Sequence, residues 1–483
     1  MLMLLLATGC DRRADDGPVD VEVIGGPATL VDASRHLPGP ASRVLAGAVA
    51  QGLVSFDAAG QIEPGIAERW TVIDNGTSYI FRLRDAHWQD GRPVTAGQVV
   101  AALRHQVAQG SRNPLTPFLS AVEEIVEMTP EVIEVRLSRP RPDLLKLFAQ
   151  PELAIMTVQG SGSGPYRPVT ARARQGVLLR LARDVTATDD DGVKTVPSDD
   201  VRLRVDRPAI AILRFVRHQV DLVGGGTIAD WPLLTAAGLA PATIRIDPAA
   251  GLFGLAIENR EGFLGDAANR DALSAAMDRQ ALSTIAGGVP LAAQVLPESL
   301  DSAAAPAMPA WIDDPIDVRR ALARSRVAAW LAARPATAAG SDAGVTLRLA
   351  LPAGPGGTVL WGQLAATLLA VGITPVRVAI DAPADLRLVD AVAPYDSARW
   401  YLATACRPCG ADAQARLEEA RAAPSVTARA EALARADQAV AADVPFIPLL
   451  RPLRWSLVAL RLNQWQGNAR AWHPLNHLRD GPI

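Results

Sequence analysis

Apolar and polar residues alternate from Val19 to Ile24 in the order Val-Asp-Val-Glu-Val-Ile, and this period of two predicts a half-buried strand at the start of the folded chain. Trp70 to Ile73 and Ser78 to Leu83 read as two more strands around Asp74-Asn75-Gly76, because Asn-Gly supplies the positive φ angles of a tight hairpin turn. Tyr79, Phe81 and Leu83 then share one face. Thr95-Ala96-Gly97-Gln98 has the spacing of a capping box, in which the Thr95 hydroxyl and the Gln98 side chain each satisfy a backbone N–H at a helix start. Val99, Leu103 and Val107 form that helix's apolar stripe. A further strand runs through Ile133, Val135 and Leu137 and is closed by Pro140 and Pro142. Residues 46 to 150 therefore read as a mixed α+β lobe.

Gly160-Ser161-Gly162-Ser163-Gly164-Pro165 has the Gly and Ser density of a crossing between structural units. Residues 176 to 222 return to strands and a short helix. Leu273, Ala276, Met277 and Ala281 give a helical stripe after the polar start Asn269-Arg270-Asp271, and a Pro- and Ala-rich surface stretch runs from Pro297 to Pro315. Val345 to Ala350 and Leu386 to Val389 read as strands flanking a helix from Leu360 to Ala370, which suggests a parallel βαβ unit. No fixed-period repeat is present.

Met1 to Gly9 is almost wholly apolar and gives way at once to Cys10-Asp11-Arg12-Arg13, the shape of a targeting segment too short to span a bilayer. Leu6-Ala7-Thr8-Gly9-Cys10 resembles a bacterial lipobox whose Cys10 would be lipidated; the other reading is an ordinary secretory signal with an incidental Cys10. Residues 1 to 18 are then signal and tether. The only other cysteines are Cys406 and Cys409, a Cys-x-x-Cys pair for which a disulfide, two free thiols, a redox pair and zinc binding are the readings to weigh. The 483 residues, 49% of them hydrophobic, suffice for two or three domains, and a net charge of −3 gives no broad attraction to nucleic acid or an anionic membrane.

No Walker lysine loop, His-Glu-x-x-His or Gly-x-Ser-x-Gly elbow occurs, so the chain carries no recognisable engine for ATP or peptide hydrolysis. The six histidines are scattered. Only His473 and His477 have a metal-like spacing, and Pro474 disfavours the helix it would need. Gly224-Gly225-Gly226 is either a close backbone approach to a ligand or a plain turn.

Leu53 to Trp70, with its run Phe56-Asp57-Ala58-Ala59-Gly60-Gln61-Ile62-Glu63-Pro64-Gly65-Ile66-Ala67, and Phe81 to Ala96, with Trp88-Gln89-Asp90-Gly91, resemble the extracytoplasmic solute-binding proteins of family 5. These serve oligopeptide, dipeptide and nickel ABC importers. Gly164-Pro165-Tyr166, Asn269 to Arg279 and Ala442 to Leu449 resemble further segments of the family in the same order. Trp70, Trp88, Asp90 and Gly91 are read as core and turn residues. The resemblance implies a two-lobed periplasmic binding protein fold of α/β (mixed α+β) class, type II and cluster C-like. Its first lobe would comprise 19–45, 151–247 and 444–483, with an extra inserted domain at 46–150 and a second lobe at 248–443. Chain crossings near 247 and 444 would form the hinge, with ligand between the lobes favouring closure.

In the peptide binders of this family, a Trp and, three residues later, an Asp that pairs with the peptide's ammonium group lie in the second lobe. Ungapped placement on Asp385 to Asp396 puts Ala391 and Pro394 there. Asp390 or Asp396 would substitute from a shifted register, or each is a solvated loop carboxylate. The candidate ligand contacts are thus Tyr395, Asp390 and Asp396 in the second lobe, Gly224 and Gly225 in the first, and Phe118 in the inserted domain. The primary expectation is the substrate-binding component of an ABC importer: periplasmic, monomeric, lipid-anchored through Cys10, without cofactor or catalysis, partnered by permease and ATPase subunits. A second expectation keeps the fold as a sensor or membrane-assembly factor with a degenerate cleft. A third makes Cys406 and Cys409 an extracytoplasmic thiol oxidoreductase.

Overall fold

The computed structural model describes residues 17–157, 160–169, 176–182, 200–298, 300–333 and 344–479. Cys10 and the rest of the targeting segment lie outside them. A seven-stranded sheet runs in the order Ile244–Ile246, Trp455–Val458, Leu222–Gly226, Val19–Ile24, Val201–Asp206, Val177–Leu181, Tyr166–Val169. Val19–Ile24 pairs in parallel with both neighbours and all six of its residues are buried, so it is a central strand rather than the half-buried one its alternation predicts. Its polar face is covered by arginines. Asp20 pairs with Arg202 and Arg204 at 3.1 Å each, and Glu22 with Arg214 at 2.9 Å, which lets an alternating sequence occupy a fully buried position.

The second lobe is built on five strands in the order Ile373–Ala379, Val345–Leu351, Leu386–Val392, Gly251–Ile257, Phe446–Leu450. Val345–Leu351 pairs in parallel with Ile373–Ala379 after the helix Pro355–Ala370, and also with Leu386–Val392, so the expected βαβ unit is present with a further strand in it. Phe446–Leu450 is antiparallel to Gly251–Ile257 and belongs to this sheet. The second crossing therefore falls at 451–454, after that strand, and not at 444. The two crossings run side by side, with the Asp247 N–H donating to the Arg454 carbonyl at 3.0 Å.

A third unit carries the four-stranded antiparallel sheet Ala67–Ile73, Ser78–Leu83, Val132–Leu137, Val122–Thr129. The hairpin turn has positive φ at Asp74, Asn75 and Gly76, and Thr95 and Gln98 form the reciprocal capping box. The helix Pro40–Val49 packs Ala41, Leu45, Ala48 and Val49 against Val19, Val21 and Val23, so a unit boundary at 45/46 would cut a helix of the first lobe. The stripe around Leu273 is split into Ala267–Ala276 and Arg279–Ile285, each capped by an aspartate, Asp266 and Asp278.

Glu22 and Asp206 share one guanidinium, Arg214, at 2.9 and 2.6 Å. Burial, reinforced by the neighbouring Asp206 and opposed by Arg214, pushes the Glu22 carboxyl from the ordinary 4.5 up to about 7. The folded chain thus holds this proton more tightly than the unfolded one. The stability it contributes is full below pH 4.5 and is lost as pH rises through about 7. Thermal melts across this window should show the wild type losing more stability with rising pH than Glu22→Gln. Parallel curves would contradict the assignment.

Candidate functional site: the seam between the lobes

The segment Ala393 to Arg399 follows the strand Leu386–Val392 and leads into the helix Ala398–Ala405, which sets its side chains against the third unit. Tyr395 packs edge-on to Phe118 with ring centroids 5.7 Å apart, and the Arg399 guanidinium lies 5.3 Å over the Phe118 ring. Arg399 donates to the Pro117 carbonyl at 3.1 Å, and Gln150 donates to the Pro394 carbonyl at 2.6 Å. One continuous apolar core runs from Leu53, Phe81 and Phe148 of the third unit through Phe118 to Tyr395, Trp400 and Tyr401 of the second lobe. The lobes are in contact and the seam between them is filled by side chains.

Both acidic candidates are engaged by cations. Asp396 accepts from Lys146 at 2.5 Å and from Arg470, so residues from the third unit and the C-terminal segment converge on one carboxylate of the second lobe. Although partial burial acts to raise it, Lys146 and Arg470 hold the Asp396 carboxyl below its ordinary value. Asp390 accepts from Arg454 at 2.7 Å, while Arg454 also donates to the Asp390 carbonyl at 3.2 Å, which pins the strand to the 451–454 crossing. Here burial outweighs Arg454 and the carboxyl is pushed up. Neither carboxylate is the uncompensated buried charge that would by itself demand a cationic ligand.

Tyr395, Asp396 and Phe118 come together at this seam. Gly224 and Gly225 do not join them. They end the strand Leu222–Gly226, where Val23 pairs with Gly224, and a Cβ at Gly226 would lie 2.2 Å from the Trp455 ring, so packing against Trp455 accounts for the glycine at 226. The loop that follows touches the second lobe instead. The Gly356 N–H donates to the Ala229 carbonyl at 2.8 Å, and a Cβ on Gly356 would stand 1.8 Å from the Ile228 carbonyl oxygen. Gly287 likewise lies under the Trp231 ring, where a Cβ would stand 2.4 Å from it. Sequence reasoning missed Gly287 and Gly356. Their only local signals were the glycine pairs at 287–288 and 356–357.

Cys406 and Cys409 form a disulfide with Cα atoms 4.8 Å apart, in the loop between the helices Ala398–Ala405 and Ala411–Ala422. No strand leads into it as in a thioredoxin-like unit. His473 and His477 are held by different carboxylates, Asp247 at 3.1 Å and Glu63 at 2.9 Å, and no group of metal-ligating side chains occurs among the described residues. Cavities of about 730 and 890 Å³ lie where the third unit meets the first lobe, the larger reaching Gln150 at the edge of the seam.

The family model for bacterial extracellular solute-binding proteins, family 5 (middle), matches residues 61–327, more than half of the chain. The chain belongs to this family. It is 26% identical over 260 residues to the periplasmic oligopeptide-binding protein OppA of Escherichia coli, covering 47% of each chain. It is 39% identical over 71 residues to the probable deoxycholate-binding periplasmic protein YgiS of the same organism, covering 14% of this chain and 13% of that one. The matched stretches thus span about half or less of these curated relatives. The structure of Haemophilus influenzae OppA in complex with the peptide RPPGFSPFR aligns over 96% of this chain and 99% of that one, with a TM-score of 0.77 at 15% identity, which shows a common two-lobed fold. Within the family-5 segments Leu53 to Trp70 and Phe81 to Ala96, Trp88 is buried and donates to Gln98 at 3.0 Å, and Asp90 caps a turn with Arg92.

Asp396→Asn leaves Lys146 and the almost fully buried Arg470 without their carboxylate. It should lower stability by about 1–2 kcal/mol, less than a fully buried pair because Asp396 keeps some solvent. Urea denaturation checks this against Asp90→Asn, whose exposed pair with Arg92 should leave the midpoint where it is. Equal midpoints for all three proteins would remove Asp396 from the contacts that hold the seam.

Proposed function

We propose that this chain is the substrate-binding component of an ABC importer. It captures a peptide or other small solute between two lobes and delivers it, chemically unchanged, to a membrane permease whose ATPase subunits supply the energy. The observation that carries this reading is the pair of short crossings, 247–250 and 451–454, that run hydrogen-bonded side by side between the two sheets. Two adjacent crossings let the lobes swing as rigid bodies, and a ligand that touches both sides favours closure. In this reading the third unit is inserted after the helix Pro40–Val49, and the first lobe takes up the chain before 50, from about 160 to 247, and after 454. The protein is periplasmic, monomeric and tethered through a lipid on Cys10. Among the described residues no helix is long and apolar enough to cross a membrane.

The filled seam supports a second reading, a sensor or assembly factor of the same fold. Tyr395, Phe118 and Arg399 interlock where a ligand would lie, and Asp396 is occupied by the protein's own cations. Native mass spectrometry of protein purified from its own periplasm, followed by denaturing release, separates the two. The importer reading predicts a stoichiometric small solute that leaves on denaturation. An empty protein with no thermal shift across peptide, amino-acid, sugar and metal-chelate libraries would favour the sensor.

A further inference from the structure

We infer that the end of the first lobe from which the N-terminal segment departs rests on a bilayer surface bearing anionic headgroups, with Leu460 entering the interface and Arg217 facing the phosphates. This rests on the tethered, periplasmic reading above and adds a face and an orientation to it.

The chain enters the first sheet at Val19, and the strand Val19–Ile24 has Val201–Asp206 on one side and Leu222–Gly226 on the other, both parallel to it. The starts of all three strands therefore lie at one end of the sheet. Trp455–Val458 runs antiparallel to Leu222–Gly226 with Val458 opposite Leu222, so it leaves the sheet at that same end. Two turns project there. One follows the helix Pro208–Val216 and leads into Leu222, and the other is a β-turn closed by the Leu462 N–H on the Ala459 carbonyl at 3.0 Å. The Ala459 N–H donates to the Asp221 carbonyl at 2.8 Å, and the Arg461 guanidinium grips the Asp221 carboxylate at 2.6 and 2.9 Å, which joins the two turns. Arg461 also donates to the Pro18 carbonyl at 3.3 Å. The N-terminal segment thus leaves the fold beside them.

Leu460 stands at the first central position of the β-turn and is 77% exposed, more than any other large apolar residue among the described residues. Turn tips ordinarily carry Pro, Gly or a polar residue, and a leucine this exposed adds almost nothing to the core. Val216 and, one helical turn earlier, Leu213 are also exposed. The exposed charge is positive. Arg217 and His218 both face solvent, and Arg217 has no carboxylate within ion-pair distance among the described residues. Asp221, the one carboxylate of the two turns, is buried under Arg461, and the neighbouring Asp200 faces Arg180 at 3.6 Å. A chain with a net charge of −3 therefore carries a local surplus of cations where its tether begins.

Seven peptide units separate Cys10 from Gly17, a reach of at most about 25 Å. A lipid on Cys10 keeps this end of the lobe within that distance of the bilayer. One leucine and a small surplus of cations would not bring a free protein to a membrane, but on a short tether they act at high effective concentration and need only select which face turns to the lipid. The guanidinium fork of Arg217 suits phosphate oxygens, and Leu460 is placed to enter the boundary between headgroups and acyl chains. The loop in which Ala229 meets Gly356 lies at the opposite end of Leu222–Gly226, so that contact between the lobes stands about one strand length, roughly 17 Å, further from the lipid.

The Cys406–Cys409 disulfide and a lipid on Cys10 leave an introduced cysteine as the single free thiol. The lipidated full chain carrying Leu460→Cys, or Leu369→Cys on the second lobe as the control, is labelled with an environment-sensitive fluorophore and floated with phosphatidylcholine vesicles made with and without phosphatidylglycerol. The label at 460 should shift to the blue and brighten on vesicles containing phosphatidylglycerol, and less on phosphatidylcholine alone. Arg217→Glu should remove the difference between the two lipids, and the label at 369 should stay as in water. A chain that floats while the label at 460 stays as in water, shifts no more than the label at 369, or responds alike to both lipids overturns the inference and leaves the tethered reading standing. A label at 460 already shifted before vesicles are added reports a second copy of the chain on this face and overturns it too. A chain that does not float removes both readings. Where Arg217→Glu fails to fold, the two labelled positions on the two kinds of vesicle still decide.

Discussion

The closed arrangement depends on how charge is distributed across one seam. Asp396 projects from the second lobe and is met by Lys146 from the third unit and Arg470 from the C-terminal segment, so three parts of the chain that share no sheet are joined at a single carboxylate. Remove that match and two cations lose their counter-charge, Lys146 still partly in water and Arg470 almost fully buried. The aromatic contact of Phe118 with Tyr395 and the bond from Gln150 to the Pro394 carbonyl lie in the same stretch, so apolar and ionic contacts form or break together.

The crossings give this seam its leverage. Asp390, paired to Arg454, lies on the strand that leads into the Ala393 to Arg399 segment, so a single strand joins the 451–454 crossing to the seam. On the other side, Gly356 lets the start of a helix approach the Ile228 carbonyl closer than any residue with a Cβ permits. Alanine there suits the helix itself, gaining about 1 kcal/mol of propensity, yet cannot fit the contact. Closure thus rests on an ionic seam at one place and a steric allowance at another.

Much of the local structure was legible in the sequence because it is written in short-range chemistry. Asn75-Gly76 announces its hairpin, Thr95 and Gln98 their capping box, and Val345 to Val389 its parallel strands, each within a window of residues that meet directly. The seam was legible only in part. Tyr395, Asp396 and Phe118 could be nominated from chain position, but Lys146 lies 250 residues before its partner and Arg470 lies 74 after it, and no local pattern links them. The second passage between the sheets falls later than expected for a related reason. Phe446 to Leu450 is apolar throughout and suits either sheet, and only its pairing with Gly251–Ile257 decides which. Arg399 drew no notice because an isolated arginine reads as a surface residue until its burial is known.

Small-angle X-ray scattering of the wild type, refolded from denaturant to strip carried solute and recorded beside Gly356→Ala, tests the central claim that the protein's own contacts, at the ionic seam and at Gly356, hold the lobes together. The account predicts a wild-type curve that matches the compact closed arrangement and a larger radius of gyration for the variant. A refolded wild type that is expanded and superimposes on Gly356→Ala would show that the seam does not close on its own contacts.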